Sequence, residues 1–167
     1  MTKQQVQPRA ENQIEFVEAN ACELPFEDNS FDAVLAVECI FHFPSREHFF
    51  QEAARVLKPG GTLAISDFVP RKIILPFIKI GSELAKDTLQ KALGYVDINF
   101  TLGNYRKLSR NTGFTPLIEE DITPNTLPTY SLIRKLQNKE DKIINFAQSV
   151  SRWGIIRYLV LSYMKND

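Results

Sequence analysis

"FDAVLAVECIFHFPSREHFFQEAARVLKPGGTLAISDF", residues Phe31 to Phe68, reads as strand, loop, helix, turn, strand. Phe31 to Val37 is a nearly continuous apolar run, the pattern of a strand buried on both faces of a parallel sheet. Ser45 is placed to cap the following helix by accepting an amide bond of its first turn. That helix sets Phe49, Ala53, Val56 and Leu57 on one face. Lys58-Pro59-Gly60-Gly61 ends it, because proline cannot continue a helix and glycine accepts a left-handed turn. Thr62 to Phe68 is the next strand, parallel to the first through a right-handed crossover. Units of this kind belong in the second half of a doubly wound sheet.

Working outward, residues 1 to 13 are polar and read as a disordered tail. Ile14-Glu15-Phe16-Val17 alternates and reads as a short strand. Asn20 to Phe26 leaves it as a loop, and Glu27 to Ser30 is a turn. Downstream, Val69 to Leu102 reads as mostly helical and Tyr105 to Asn111 as a second short helix stopped by Gly113. Phe114 to Ile122 is strand-like. Pro124 and Pro128 break the chain, and helix resumes over Ser131 to Ser151. Ile155 to Met164 closes the chain as a strand. Residues 14 to 167 form one domain on this reading, with helical segments at about 69–102 and 124–151.

The chain has 167 residues, enough for one domain with a real core. Lysine plus arginine and aspartate plus glutamate each number 20, so the formal charge is zero. That balance gives no broad electrostatic grip on nucleic acid or an anionic membrane. Cys22 and Cys39 have no zinc-like spacing. Two lone cysteines and a polar N-terminus without a signal-peptide core point to the cytoplasm. The longest apolar runs, 73–80 and 155–164, are too short to span a bilayer.

The ordered set of elements resembles the class I S-adenosylmethionine-dependent methyltransferases, in their small-molecule branch with the ubiquinone/menaquinone and tocopherol enzymes. "EANACELPFEDNSFDAV" is similar to the loop after the family's third strand and its fourth strand. "ECIFHFPSREHFFQEAARVLKPGGTLAISDF" is similar to its fourth loop, helix and fifth strand. "LSRNTGFTPLIEEDIT" and "GIIRYLVLSYMK" are similar to the helix with the sixth strand and to the final antiparallel strand. The resemblance implies a partial Rossmann-like α/β sheet holding strands 3 to 7 of the family order 3-2-1-4-5-7-6.

It also implies a site. Ligands of doubly wound sheets bind at the carboxyl ends of the parallel strands, and the loops at Asn20–Leu24 and Glu38–Phe43 both follow strand ends. By resemblance, Asn20 accepts from the adenine amino group of S-adenosylmethionine, the Ala21 amide meets the ring and Leu24 packs on its face. Glu38 and Cys39 lie near the methionine end. His42 faces the acceptor as a candidate base, with an ordinary pKa near physiological pH. Asp67, at the end of the next strand, is placed on the same rim. Cys39 reads better as a small packed residue than as a nucleophile. The helical segments would cover a small apolar or aromatic acceptor.

One departure bears on activity. The family's glycine-rich turn follows its first strand, and none of the seven glycines here forms a G-x-G. Reaching the third strand from the first takes two βαβ units, roughly 60 residues, and 13 precede Ile14. The expectation is therefore an N-terminally truncated sheet without its first two strands or its ribose-binding acid. Hydrogen bonds to a charged partner contribute about 1.5–3 kcal/mol each, so two lost at the ribose remove roughly 10²- to 10⁴-fold in affinity. The isolated chain is then expected to bind the cofactor weakly or not at all. The open sheet edge would invite a second copy or a complementing chain. The rival reading is a non-catalytic interaction module on the same fold; a dehydrogenase fits the residues before Lys58-Pro59-Gly60-Gly61 less well.

Overall fold

The computed structural model describes residues 13–76, 97, 99–137 and 142–167. In chain order the elements are β1 (Phe31–Val37), α1 (Arg46–Val56), β2 (Leu57–Pro70), α2 (Leu102–Asn111), β3 (Phe114–Asp121), α3 (Thr123–Gln137), α4 (Lys142–Arg152) and β4 (Ile156–Lys165). The sheet runs β1-β2-β4-β3. β1 and β2 are parallel, and β4 is antiparallel to both of its neighbours. This is the 4-5-7-6 part of the expected order.

The opening stretch folds as its residues dictate. The Ser45 side chain accepts the His48 amide at 3.1 Å and caps α1. Phe49, Phe50, Ala53 and Val56 are buried along one face of α1. Leu57 is buried too, but as the first residue of β2. Lys58–Gly61 loops out of β2, so that Phe31 pairs with Leu57 while Ala33 already pairs with Thr62. Gly60 has φ +74°, and a Cβ on Gly61 would sit 2.8 Å from the Lys58 carbonyl oxygen. Glycine is required at both points, one for conformation and one for space.

The core lies between the sheet and the helices α1 and α2. Phe50 is fully buried, its ring 5.8 Å from Phe114, 5.7 Å from Tyr163 and 6.2 Å from Tyr105. These are edge-to-face or tilted contacts, the arrangements that aromatic quadrupoles favour. α3 and α4 pack on each other, with Tyr130 and Ser151 hydroxyls 3.0 Å apart and Arg134 donating to Gln148 at 2.6 Å.

Several expectations are corrected. Residues 14–17 form no strand; 13–19 carry no regular structure, and Ile14, Phe16 and Val17 are exposed. A lone alternating segment has no ladder partner for its amides and carbonyls. β1 is correspondingly an edge strand rather than one buried on both faces, with Leu35 71% and Val37 66% exposed. Val69 and Pro70 still belong to β2, Lys72–Ile74 is a single 3-10 turn, and residues 97 and 99–101 are not helical. Leu75 and Pro76 are helical as expected; residues 77–96 and 98 lie outside the described residues, as do residues 1–12 of the expected tail. α2 starts earlier than expected, at Leu102, because Thr101 and Asn104 form a capping box. Pro124 and Pro128 do not break the chain: Pro124 occupies the first turn of α3, where no amide is needed, and Pro128 lies inside it. No described helix is long and apolar enough to cross a membrane.

Candidate functional site

The Asn20 turn is clamped onto α1. The Glu23 amide donates to the Asn20 carbonyl at 2.9 Å, and the Cys22 amide donates to Asn20 Oδ1 at 3.0 Å. The Leu24 amide donates to Glu52 Oε2 at 2.7 Å, while Arg55 donates to the carbonyls of Leu24 and Phe26 at 2.9 and 2.7 Å. Arg55 also pairs with Glu52 and Asp28. The Arg55 bond is the main reason the Glu52 carboxyl is held down at about 2. Asn20 is exposed; Ala21, Cys22 and Leu24 are half-buried.

The second loop leaves β1 at Glu38, a non-glycine residue with φ +51°. Strain of this kind persists where surroundings hold it. Here the Glu38 amide donates to the Ser66 carbonyl at 3.2 Å, and the Tyr158 hydroxyl donates to Glu38 Oε1 at 2.5 Å. Tyr158 also lies 3.1 Å from Ser66 Oγ. Burial first, then the Glu38 carboxylate, pushes the Tyr158 phenol up to about 12, so it remains a donor at neutral pH. Ile40–His42 forms a 3-10 turn, with the ring of exposed His42 tilted against that of Phe41 at 4.3 Å. Cys39 is half-buried, and burial followed by the Asp67 charge pushes its thiol up. A protonated, packed thiol is a poor nucleophile.

The two loops meet. Cys22 Sγ donates to the Ser45 carbonyl at 3.3 Å, and Ala21, Cys22, Cys39 and Phe43 pack on the same core. The Asn20 turn is thereby tied to the N-cap of α1, just past the Glu38–Phe43 loop.

Asp67 does not face that rim. It is fully buried, with Oδ2 accepting from the Tyr105 hydroxyl at 2.5 Å and from Arg46 at 3.3 Å, and Oδ1 from the Phe68 amide at 2.7 Å. Arg46 reaches Asp97 Oδ2 at 2.5 Å and lies over the Phe100 ring at 4.7 Å. Burial pushes the Asp67 carboxyl up, against the pull of Tyr105 and Arg46. This cluster holds α1, α2 and β2 together and is structural.

Comparisons with known proteins bear on family and fold. Residues 1–65 match a methyltransferase-domain family. The 27-O-demethylrifamycin SV methyltransferase of Amycolatopsis mediterranei is 35% identical over 121 residues, covering 72% of this chain and 43% of that protein. A demethylmenaquinone methyltransferase of Tropheryma whipplei is 46% identical over 59 residues, covering 35% of this chain and 25% of that protein. The chain is similar in sequence to methyltransferases, and its fold is the class I methyltransferase fold. Geranyl diphosphate C-methyltransferase from Streptomyces coelicolor shares the fold, with a TM-score of 0.71 at 20% identity over 88% of this chain and 52% of that one. The chain spans about half the length of the curated relatives it matches first.

Two residues that organise these clusters, Tyr158 and Arg46, escaped sequence reasoning. Tyr158 carries no motif; only its placement on β4, opposite Phe68, brings it to Glu38. Arg46 did leave a signal. A cation in the first turn of a helix opposes the macrodipole, and such a residue needs a compensating partner, here Asp67 and Asp97.

Proposed function

We propose that this chain serves S-adenosylmethionine-dependent methyl transfer to a small, apolar or aromatic acceptor. Its part is the wall that faces the adenine and the methyl group. The observation that carries the reading is the junction of the Asn20 turn with the Glu38 loop at the carboxyl end of β1. The names of its relatives, which methylate a rifamycin, an erythromycin and sterols, support a small acceptor.

The residues present suit part of the cofactor. Asn20 Oδ1 keeps a second lone pair beyond its bond to the Cys22 amide, enough to accept from an adenine amino group. The Ala21 amide and the Leu24 side chain would border the ring. Glu38 keeps carboxylate oxygens beyond its bond to Tyr158, and a carboxylate there favours a cationic neighbour; Cys39 lines the same end. When bound, the cofactor supplies a methyl group already activated on sulfur. The work left to these residues is to hold it in line with the acceptor. His42, exposed beside them, would take a proton from an acceptor hydroxyl.

The second reading is a non-catalytic interaction module, favoured by the exposed Leu35 and Val37 of β1. An assay of radiolabelled methyl transfer separates the two. The chain is combined with a second polypeptide that carries the family's glycine-rich half, and wild type is compared with N20A and H42A. Transfer that N20A abolishes supports the methyltransferase reading. Stable association of the two polypeptides without cofactor binding supports the module.

A further inference from the structure

A cleft of about 420 Å³ opens beyond the end of β2 and the start of β4, lined by none of the residues assigned above. Among the described residues, Arg71, Arg152, Arg157, Asp121, Thr123 and Gly154 line it. The three arginines come from separate places: Arg71 follows β2, Arg152 ends α4, and Arg157 lies on β4 opposite Val69. Only the antiparallel β2–β4 pairing and the α4–β4 turn bring them together. That turn is held by Gly154, with φ +63°, whose carbonyl accepts from Arg71 Nε at 2.7 Å.

The charges here are not balanced. Asp121 is the one carboxylate lining the cleft among the described residues, and its Oδ1 already accepts from the Thr123 amide at 3.1 Å and the Thr123 hydroxyl at 2.5 Å. Among the described residues, none of the three guanidiniums has an ion-pair partner. Arg157 Nε is buried with no hydrogen-bond partner among them. The first turn of α3 opens at the same cleft through Thr123, adding the positive end of a helix dipole. Three guanidiniums against one engaged carboxylate leave two positive charges uncompensated. A buried donor without an acceptor is unfavourable unless a ligand meets it.

We propose that this cleft is an oxyanion subsite that takes a phosphoryl group. Guanidinium forks fit phosphate oxygens in bidentate pairs, and a phosphoryl dianion matches the excess charge where a single carboxylate does not. The group is either part of the methyl acceptor or free phosphate. Only the first assignment rests on the methyl-transfer reading; the oxyanion site itself does not.

The test is calorimetric and spectroscopic titration of the full chain, without S-adenosylmethionine, using inorganic phosphate, phenyl phosphate and acetate. The expected result is phosphate binding that weakens with salt, that exceeds acetate binding at least tenfold and that shifts the Arg157 Nε–H resonance. R157Q and R152Q are each expected to weaken it at least tenfold, while R110Q, on the exposed side of α2, leaves it unchanged. Tighter binding of phenyl phosphate assigns the group to the acceptor; equal binding assigns it to free phosphate. No phosphate binding at millimolar concentration, equal acetate binding, or indifference to both R157Q and R152Q overturns the site. Because cofactor is omitted, failure here leaves the methyl-transfer reading standing, and failure of cofactor binding leaves this site standing.

Discussion

The Tyr158 hydroxyl donates to Glu38 Oε1 at 2.5 Å, tying the last strand to the loop that leaves the first. The bond fixes a residue in left-handed conformation at the point where the proposed cofactor wall begins. Hydrogen bonds to charged groups contribute about 1.5–3 kcal/mol. Y158F is expected to lose stability in that range in urea denaturation and to speed amide exchange at Glu38 to Phe43. A loss below about 0.5 kcal/mol with unchanged exchange would show that the bond holds nothing.

The buried Arg46–Asp67 pair and the exposed Lys58–Asp32 pair provide a contrast within one chain. Their side-chain exposures are 3% and 0% against 48% and 85%. Removing one partner of a buried pair strands the other charge, at about 3–5 kcal/mol, whereas an exposed pair contributes about 0–1 kcal/mol. R46A is thus expected to destabilise several-fold more than K58A in denaturant midpoints. Comparable losses would mean that Asp67 is not held as a buried charge.

Glu52 supplies a pH dependence with a definite sign. Its carboxyl titrates near 4.5 when free and at about 2 in the fold, chiefly through Arg55 and the Leu24 amide. The folded pKa is depressed, so this stabilisation is complete above about pH 4.5 and is lost as pH falls toward 2. E52Q should flatten that part of the acid-stability curve and loosen the Asn20 turn. An unchanged acid limb in E52Q would remove Glu52 from the account.

The open β1 strand leads to a prediction about association. Leu35 and Val37 are exposed on a strand that, among the described residues, is paired on one side only, and such edges pair with other chains. Sedimentation of the wild type is expected to depend on concentration, and L35K with V37K to abolish that dependence. A monomer at all concentrations would show that the edge is already protected.

Much of the fold was legible because its signals are local. The apolar run of β1, the Ser45 cap, and the proline and glycines after α1 each act within a few residues. The strand order came from the family resemblance, whose third strand, expected at Ile14 to Val17, does not form. What was not legible depends on distant partners. Ile14 to Val17 has a strand-like pattern but no neighbour, so it stays irregular. Asp67 looked like a rim residue by position, but Arg46 and Tyr105 reach it from other elements and it is fully buried. Tyr158 and the arginines of the second cleft acquire meaning only when β4 lies against β2.

The central proposal is that the Asn20 turn and the Glu38 loop form one wall of a methyl-donor site. The direct measurement is titration of S-adenosylmethionine into the isotopically labelled chain, read by amide chemical shifts. The expected result is binding with shifts confined to residues 20–24 and 38–43. Shifts that avoid both loops would contradict it.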